Sequence, residues 1–577
     1  MRPVSVLFFL LLIACDSKVV TPTYRPYSSL YKAIEDERLK GIKSNFEALQ
    51  KPVLKNVFQL DSNWIYMAGD GSEHLDVPCR EVMGVQINLP HRILLPDTPL
   101  WYARTIHFTE PGYLFIQADD GGQLYLNKKR ILRNSDYAFP IDTAGVYQVT
   151  VRVLNNAMAG GLRRISFVTK DQYDQYTHHL SLFKRAEKVI EKTLRKSVLM
   201  EEELDAVEYM LSNFNEDALK KTEEVFIPYP LLAGPYIIGG NDNLVRIRVQ
   251  TDATFPVHLE WGSQPDQLNN KLTEDGPVTA FDISLPKPNT QYYYRINSEN
   301  SYSEIIPVIR NEPSHKYAFN VWADSQSGWE RFVKNINLIT QTDDVFGIGV
   351  GDLVSQGNEE EHWRKFFSIL SSSASSIPYY LIPGNHDYDG YYDDLNPGYY
   401  YSFTGNTKNY FSWSHANSSF ISLDPNASFP IGFDDEQRIW FYNKIESEEW
   451  KSATWRFVLL HQPPYSQGWP NYHGDEVVRK LLDPVYESAK IDFVISGHTH
   501  DYERLTKEYG EQKVTFLIVG GAGGALEPQE SSSDPKMDTV IKQHHIGRFT
   551  VDGQKINFES ISSEGEVLDA FQIKKDE

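Results

Sequence analysis

A chain of 577 residues is too long for one hydrophobic core and calls for roughly two to four domains. Its 34 Tyr, 30 Phe and 11 Trp, with charged residues near the globular average at 23%, exclude a largely disordered polypeptide. A formal charge of −22 argues against nucleic acid or an anionic membrane surface as the main partner.

The chain opens on MRPVSVLFFLLLIAC, with Arg2 as a positive n-region and Val4 to Ala14 as an apolar h-region too short to span a bilayer. The ending LIAC resembles the lipobox of bacterial lipoproteins. That resemblance implies a signal over 1–15, lipidation of Cys15, and a membrane-anchored, extracytoplasmic protein in the periplasm or on the cell surface. The only other cysteine is Cys79, so a lipidated Cys15 leaves no intrachain disulfide, and Cys79 reads as an inert thiol.

Residues 16–56 are polar and then weakly helical, and read as a tether. Over 57–170 the pattern becomes short alternating runs such as LWYARTIHF, GYLFIQA and GVYQVTVRVLN, split by Gly, Asn and Asp turns, which predicts a β-sandwich. The order of these runs resembles the jelly-roll carbohydrate-binding domains attached to glycosidases, which implies carbohydrate binding; a structural spacer is the alternative. Residues 171–222 carry apolar positions at i, i+3, i+4 and predict an amphipathic helical connector. Residues 223–312 return to strands (LVRIRVQTD, FPVHLEWGS, TQYYYRINS), at the length of one fibronectin-like sandwich. From 313 to 577, continuous apolar runs alternate with amphipathic helices, predicting a layered α/β domain whose sheets are buried on both faces.

The ends of those last runs carry the chemistry. YAFNVWAD ends on Asp324 with Gln326 after it, and DVFGIGVGD on Asp352. PYYLIPGNHD ends on Asn385, His386 and Asp387, WRFVLLH on His461, and DFVISGHTH on His498 and His500. In α/β sheets ligands bind beyond the carboxyl ends of strands, so five strands deliver metal-ligand side chains to one edge. Imidazole, carboxylate and amide donors without thiolate suit Mn, Fe or Zn. Seven donors exceed the needs of one ion, which points to two divalent or trivalent ions sharing a carboxylate, the arrangement that activates water against a phosphoryl group.

Asp324-x-Gln326, Gly351-Asp352, Gly384-Asn385-His386-Asp387, His461 and Gly497-His498-x-His500 resemble, motif by motif and in order, the calcineurin-like metallophosphoesterases. LLHQPPYSQG and GHTHDYER, with a fibronectin-like module upstream, are similar to the purple acid phosphatase branch. The resemblance implies that Asp352 bridges two ions, that Asp324, Gln326 and His500 hold one, and that Asn385, His461 and His498 hold the other. It implies His386 as the group that meets the phosphoryl transition state or protonates the leaving oxygen. Asp387 either orients His386 or caps the following turn, and His473 in NYHGDE corresponds to a second substrate-facing histidine. Two positions depart from the branch: Ser355 stands where those enzymes have a tyrosine ligand, so a purple ferric–tyrosinate centre should be absent, and Gln326 stands where they have glycine. His362 reads as solvated and His415 as packing, while His544 and His545 could approach the site.

The expected activity is hydrolysis of phosphomonoesters on a small-molecule, lipid or sugar substrate. Phosphodiester or nucleotide pyrophosphate hydrolysis is the alternative within the fold. A surface binding protein with a vestigial catalytic domain is the alternative outside it.

Overall fold

The computed structural model describes residues 23–24 and 34–575, apart from 56, 70–83, 96–97, 119–120, 135–137, 156–159, 197, 226–230, 240–243, 252–254, 299–300, 310–312, 389–396, 428–430 and 528–531. The signal stretch with Cys15, and Cys79, lie outside the described residues. Among the described residues no helix is long and apolar enough to cross a membrane.

The alternating runs after residue 57 form two antiparallel sheets around one core. One has six strands, with Thr98–Phe108 and Gly145–Asn155 paired along their whole length at its centre. The other has four, including Gly112–Ala118 and Leu162–Thr169. Trp64, Tyr102, Leu114, Phe139, Val151 and Phe167 fill the space between them. The last strand runs straight into the connector helix Lys170–Arg195, where Thr169 and Gln172 form a reciprocal capping box that stops the strand and starts the helix.

That helix packs with Glu201–Ser212 and Glu216–Val225, and the weakly helical stretch before the sandwich supplies a fourth member. Residues 37–48, read as tether, form the helix Glu37–Ala48, whose Ile42 is buried beside Val189, Ile190 and Met210. Arg38 reaches Glu201, Asp205 and Glu208. A weakly amphipathic segment of this length is marginal alone and becomes a helix because a partner surface covers its few apolar residues. Thr23–Tyr24 also docks, pairing in parallel with Tyr302 and Ser303.

Residues 231–309 form a three-stranded sheet and a larger sheet around Ile247, Phe281, Tyr294 and Ile296. Beyond residue 315, two mixed sheets face each other. In the first, Tyr379–Ile382, Phe346–Val350 and Lys316–Trp322 run parallel and are extended by the antiparallel C-terminal strands from His545 onward. In the second, Ser418–Ser422, Trp455–Leu459, Phe493–Ser496 and Gln512–Val519 run parallel. The rings of Phe319, Phe346, Phe420, Phe457, Phe493 and Phe549 fill the interval. Helices cover both outer faces, including Trp329–Ile339 and Glu360–Ala374 on one and Asp435–Ile445 and Glu476–Leu482 on the other. Each parallel strand is thus buried on both sides, which is why it reads as an unbroken apolar run.

Candidate metal centre

Trp322, Val350, Leu459 and Ser496 end four of the parallel strands, and two residues past each stands a donor: Asp324, Asp352, His461 and His498. The spacing repeats because the registers align the strand ends, Trp322 opposite Gly349 and Leu459 opposite Ile495. Backbone bonds join the two sheets here, from Ala323 N to Val519 O at 2.9 Å. Asp324, Asp352 and His498 all adopt left-handed backbone, with φ of 61°, 50° and 74°. For such residues this costs about 1 kcal/mol or more each, and clustering of strain at one edge marks a site whose geometry the surrounding fold enforces.

Asp352, His461 and His498 each place a donor atom within 4.8 Å of the others, and Asp324, Asp352 and His500 do the same, so Asp352 is common to both groups. All of these except His500 are buried. His461 donates from Nδ1 to the Val350 carbonyl at 2.9 Å, and His500 from Nδ1 to the Ala525 carbonyl at 2.6 Å, which turns each Nε2 toward the carboxylates of its group. Among the described residues, Asp324 Oδ1, His461 Nε2 and His498 Nε2 are buried without a hydrogen-bond partner. Orphaned acceptors around a shared carboxylate, with no thiolate among them, fit two cations.

The charges fit as well. Burial opposes charge on every one of these groups, yet Asp352 and Asp324 hold His461 up at about 10, and Asp324 holds His500 up at about 9. His498, buried and facing the charge on His461, drops to about 3. Asp352 resists burial and sits well below the usual carboxylate range because of His461 and His386. The carboxylates demand positive charge nearby, which the histidines supply as protons when no ion does.

The other anticipated residues fall in different places. Gln326 lies beside the second group, its amide nitrogen 3.2 Å from Asp352 Oδ2 and 3.1 Å from His500 Nε2. Asn385 and His386 sit half-buried in the turn Asn385–Asp387. His386 donates its backbone N–H to Asp352 Oδ1 at 2.9 Å, and its ring donates from Nδ1 to the Ser355 carbonyl at 3.0 Å. Asp387 makes no bond to the His386 ring; its buried carboxylate accepts from the backbone N–H groups of Gly384, Leu353 and Val354, clamping the two ligand loops together from behind. Burial, then the Asp352 charge, pushes that carboxyl up to about 8. His473 is exposed and bonded through Nδ1 to the Asp534 carbonyl, outside both ligand groups. Its neighbours face the centre instead: Trp469 and Tyr472 pack edge-on against His498, with ring centroids at 5.1 and 6.1 Å. Ser355, at the tyrosine position, pairs its hydroxyl with Ser327 at 2.5 Å.

The remaining histidines stay outside the ligand groups. His415 packs against Tyr317 and Phe346, as expected. His362 is half-buried rather than solvated, near Glu359 at 3.7 Å. His545 is buried under Gly521 and against Tyr502.

Supporting residues came from segments that sequence motifs do not join. Gln462 donates to Asn385 Oδ1 at 3.3 Å, pairs with Asn426, and through it reaches Asp424, which also holds Tyr388 at 2.6 Å. Glu503 accepts from Gln467 N at 2.6 Å and Gly468 N at 3.0 Å, fixing the loop that carries Trp469. Glu503, trailing the histidine pair, therefore fixes the wall of the site.

Comparison with known proteins gives the same reading. The family model for calcineurin-like phosphoesterases matches residues 318–502. Purple acid phosphatase 21 of Arabidopsis thaliana is 24% identical over 315 residues, half of this chain and 70% of that protein. A nucleotide pyrophosphatase/phosphodiesterase of Hordeum vulgare is 24% identical over 357 residues, 54% of this chain and 94% of that one. Among solved structures, the purple acid phosphatase PPD1 of yellow lupin aligns with a TM-score of 0.50 at 16% identity, covering 60% of this chain and 74% of its own. The chain therefore carries a calcineurin-like metallophosphoesterase domain related to the purple acid phosphatases, and is a hydrolase of phosphate esters.

Proposed function

We propose that the protein is a phosphomonoesterase whose dinuclear centre is held by Asp324, Gln326 and His500 on one side and Asn385, His461 and His498 on the other, with Asp352 between them. The observation that carries this reading is the pair of ligand groups sharing Asp352. Two ions bound there supply charge neutralisation for a phosphoryl group and a more acidic water as nucleophile. The chain's own residues do the rest. The carbonyl acceptors on Nδ1 fix the rings of His461 and His500 so that each Nε2 would face an ion. His386, with Nδ1 committed to Ser355, keeps Nε2 as its remaining exchangeable position, suited to meet a phosphoryl oxygen or return a proton to the leaving group. Trp469 and Tyr472 present aromatic edges beside His498 and shield that side from water.

The purple acid phosphatases among the relatives support the phosphatase reading. A second reading, nucleotide pyrophosphatase or phosphodiesterase, is favoured by the barley relative, of which 94% is matched. The donor set suits Mn, Zn or Fe, and Ser355 argues against a ferric–tyrosinate chromophore. The deciding experiment compares p-nitrophenyl phosphate with bis-p-nitrophenyl phosphate. The protein is stripped by chelator and reloaded with Mn, Zn or Fe, with Asp352→Asn as control. Metal-dependent turnover of the monoester, lost in the variant, is the expected result. Preference for the diester favours the second reading, and no turnover with any metal favours a vestigial catalytic domain and a role in binding.

Lipid anchoring through Cys15 is part of the same reading. The strand pairing of Thr23–Tyr24 then leaves only residues 16–22 as spacer, a reach of about 25 Å even fully extended. Membrane fractionation checks it: Cys15→Ser should move the protein to the soluble fraction. The sandwich after residue 57 would direct the enzyme to large lipid or sugar phosphates. Removing it up to residue 168, which keeps the Thr169 cap, should lower activity on those substrates and spare small esters.

A further inference from the structure

A cavity of about 460 Å³ lies between the connector helix and the start of the helix Glu360–Ala374. Five cationic side chains line it, Lys51, Lys184, Arg185, Lys188 and Arg364, against the carboxylates of residues 359–361. On a chain of net charge −22 this is a local reversal of sign.

The carboxylates are already matched elsewhere. Glu359 lies 3.7 Å from His362, Glu360 accepts from Gln250 at 2.7 Å, and Glu361 accepts from Lys365 at 2.9 Å. Arg185 is committed too, through two bonds to Glu223. Among the described residues, no ion pair engages Lys51, Lys184, Lys188 or Arg364. Arg364 is the telling member. It is only 6% exposed, and its Nε is buried without a hydrogen-bond acceptor. A buried guanidinium nitrogen without an acceptor is costly, and the planar fork of arginine matches a phosphoryl or carboxylate group. Tyr399 also lines the cavity.

The floor of the cavity belongs to the catalytic loop. Asn358 and Glu359 line it, a short step along the chain from Ser355, whose carbonyl holds the His386 ring. Between them Gly357 presses so closely on residues 387–388 that a Cβ would come 2.0 Å from the Asp387 carbonyl oxygen.

We propose that this cavity is a second anion site, separate from the dinuclear centre, that takes a phosphoryl group on Arg364, Lys184 and Lys188. The group is either free phosphate or the distal phosphate of a bisphosphorylated substrate. Binding is measurable without metal, so the proposal stands apart from the hydrolytic reading.

The test is calorimetric titration of inorganic phosphate and of fructose 1,6-bisphosphate into the full chain carrying Asp352→Asn and stripped of metal. One saturable site is expected, weakened at least tenfold by Arg364→Gln and by the double variant Lys184→Gln, Lys188→Gln. The double variant lies on a partly exposed helix face and keeps the test sound if Arg364→Gln fails to fold. No saturable binding, or equal binding in the folded variants, overturns the proposal. Comparable affinity for the two probes identifies free phosphate as the ligand. Tighter binding of the bisphosphate, with a KM for it that rises in the double variant of the otherwise wild-type enzyme while that for p-nitrophenyl phosphate holds, identifies a substrate's distal group.

Discussion

His386 and His461 sit on neighbouring loops, and each donates Nδ1–H to a backbone carbonyl, Ser355 for the first and Val350 for the second. Their tasks nevertheless differ. His461 belongs to a ligand group, whereas His386 touches Asp352 only through its backbone N–H. His386→Asn should therefore lower kcat by about 10²–10⁴-fold while metal content, read by elemental analysis, stays unchanged. Loss of an ion in that variant would make His386 a ligand instead. The histidine charges give a second expectation. Without metal, His461 and His500 hold their protons up to about 10 and 9, and His498 is neutral down to about 3. An ion needs neutral rings, so loading at pH 7 displaces protons from the first two and not from the third. Metal affinity should rise with pH until about 10 and then level off. Calorimetry in two buffers of different ionisation enthalpy reads the protons released, and proton-neutral loading at pH 7 would contradict the charge assignment.

The element that ends on Ser496 shows why glycine precedes the histidine pair. A Cβ on Gly497 would stand 2.4 Å from Asp324 Oδ2 and 2.5 Å from the Cβ of Ala323, so the strand ends could not approach. Gly497→Ala should displace Asp324 and weaken metal binding by about 10–100-fold, the usual penalty for disturbing the support of a ligand. Gly553→Ala is the control. That turn glycine has φ +60° and open space around it, so the change should cost about 1–2 kcal/mol of stability and leave metal titration untouched. The strand ends were legible in the sequence because doubly buried strands must be apolar throughout, and a polar residue just past such a run stands out. His473 lies in a loop, where no periodicity tells which of Trp469, Tyr472 and His473 turns inward, and it is Trp469 and Tyr472 that pack against His498.

At the scale of the molecule, the sheet pair of residues 231–309 is fastened to the phosphoesterase domain by buried bonds. Arg248 donates to the Phe403 and Ser402 carbonyls at 2.8 and 2.7 Å, Tyr236 to Phe403 at 3.0 Å, and Tyr294 to the Ser375 carbonyl at 2.6 Å. Gly239 N also reaches the Tyr379 carbonyl at 2.8 Å, beside the first catalytic sheet. Such bonds from a charged group contribute about 1.5–3 kcal/mol net. Arg248→Met should lower the unfolding free energy by about that amount, and a chain begun at residue 313 should be poorly soluble. A denaturant titration of the variant and the soluble yield of the truncation check this. An unchanged midpoint with a fully soluble fragment would make the upstream sheets a passive attachment.

By itself, the sequence determined the alternation of apolar strands and helices and singled out the five side chains that the structure gathers into the two candidate groups, since apolar runs, glycines and ligand side chains are local features with a fixed order along the chain. The division of the donors between two ions came from the family resemblance; the tertiary structure added the proximity itself, with Asp352 common to two groups of donor atoms drawn from segments more than a hundred residues apart. It also turned the segment 37–48 from tether into a packed helix, made Asp387 a clamp behind the loops, and brought the connector helix against Arg364. Those outcomes depend on which distant surface covers a side chain, and spacing along one chain carries no record of that.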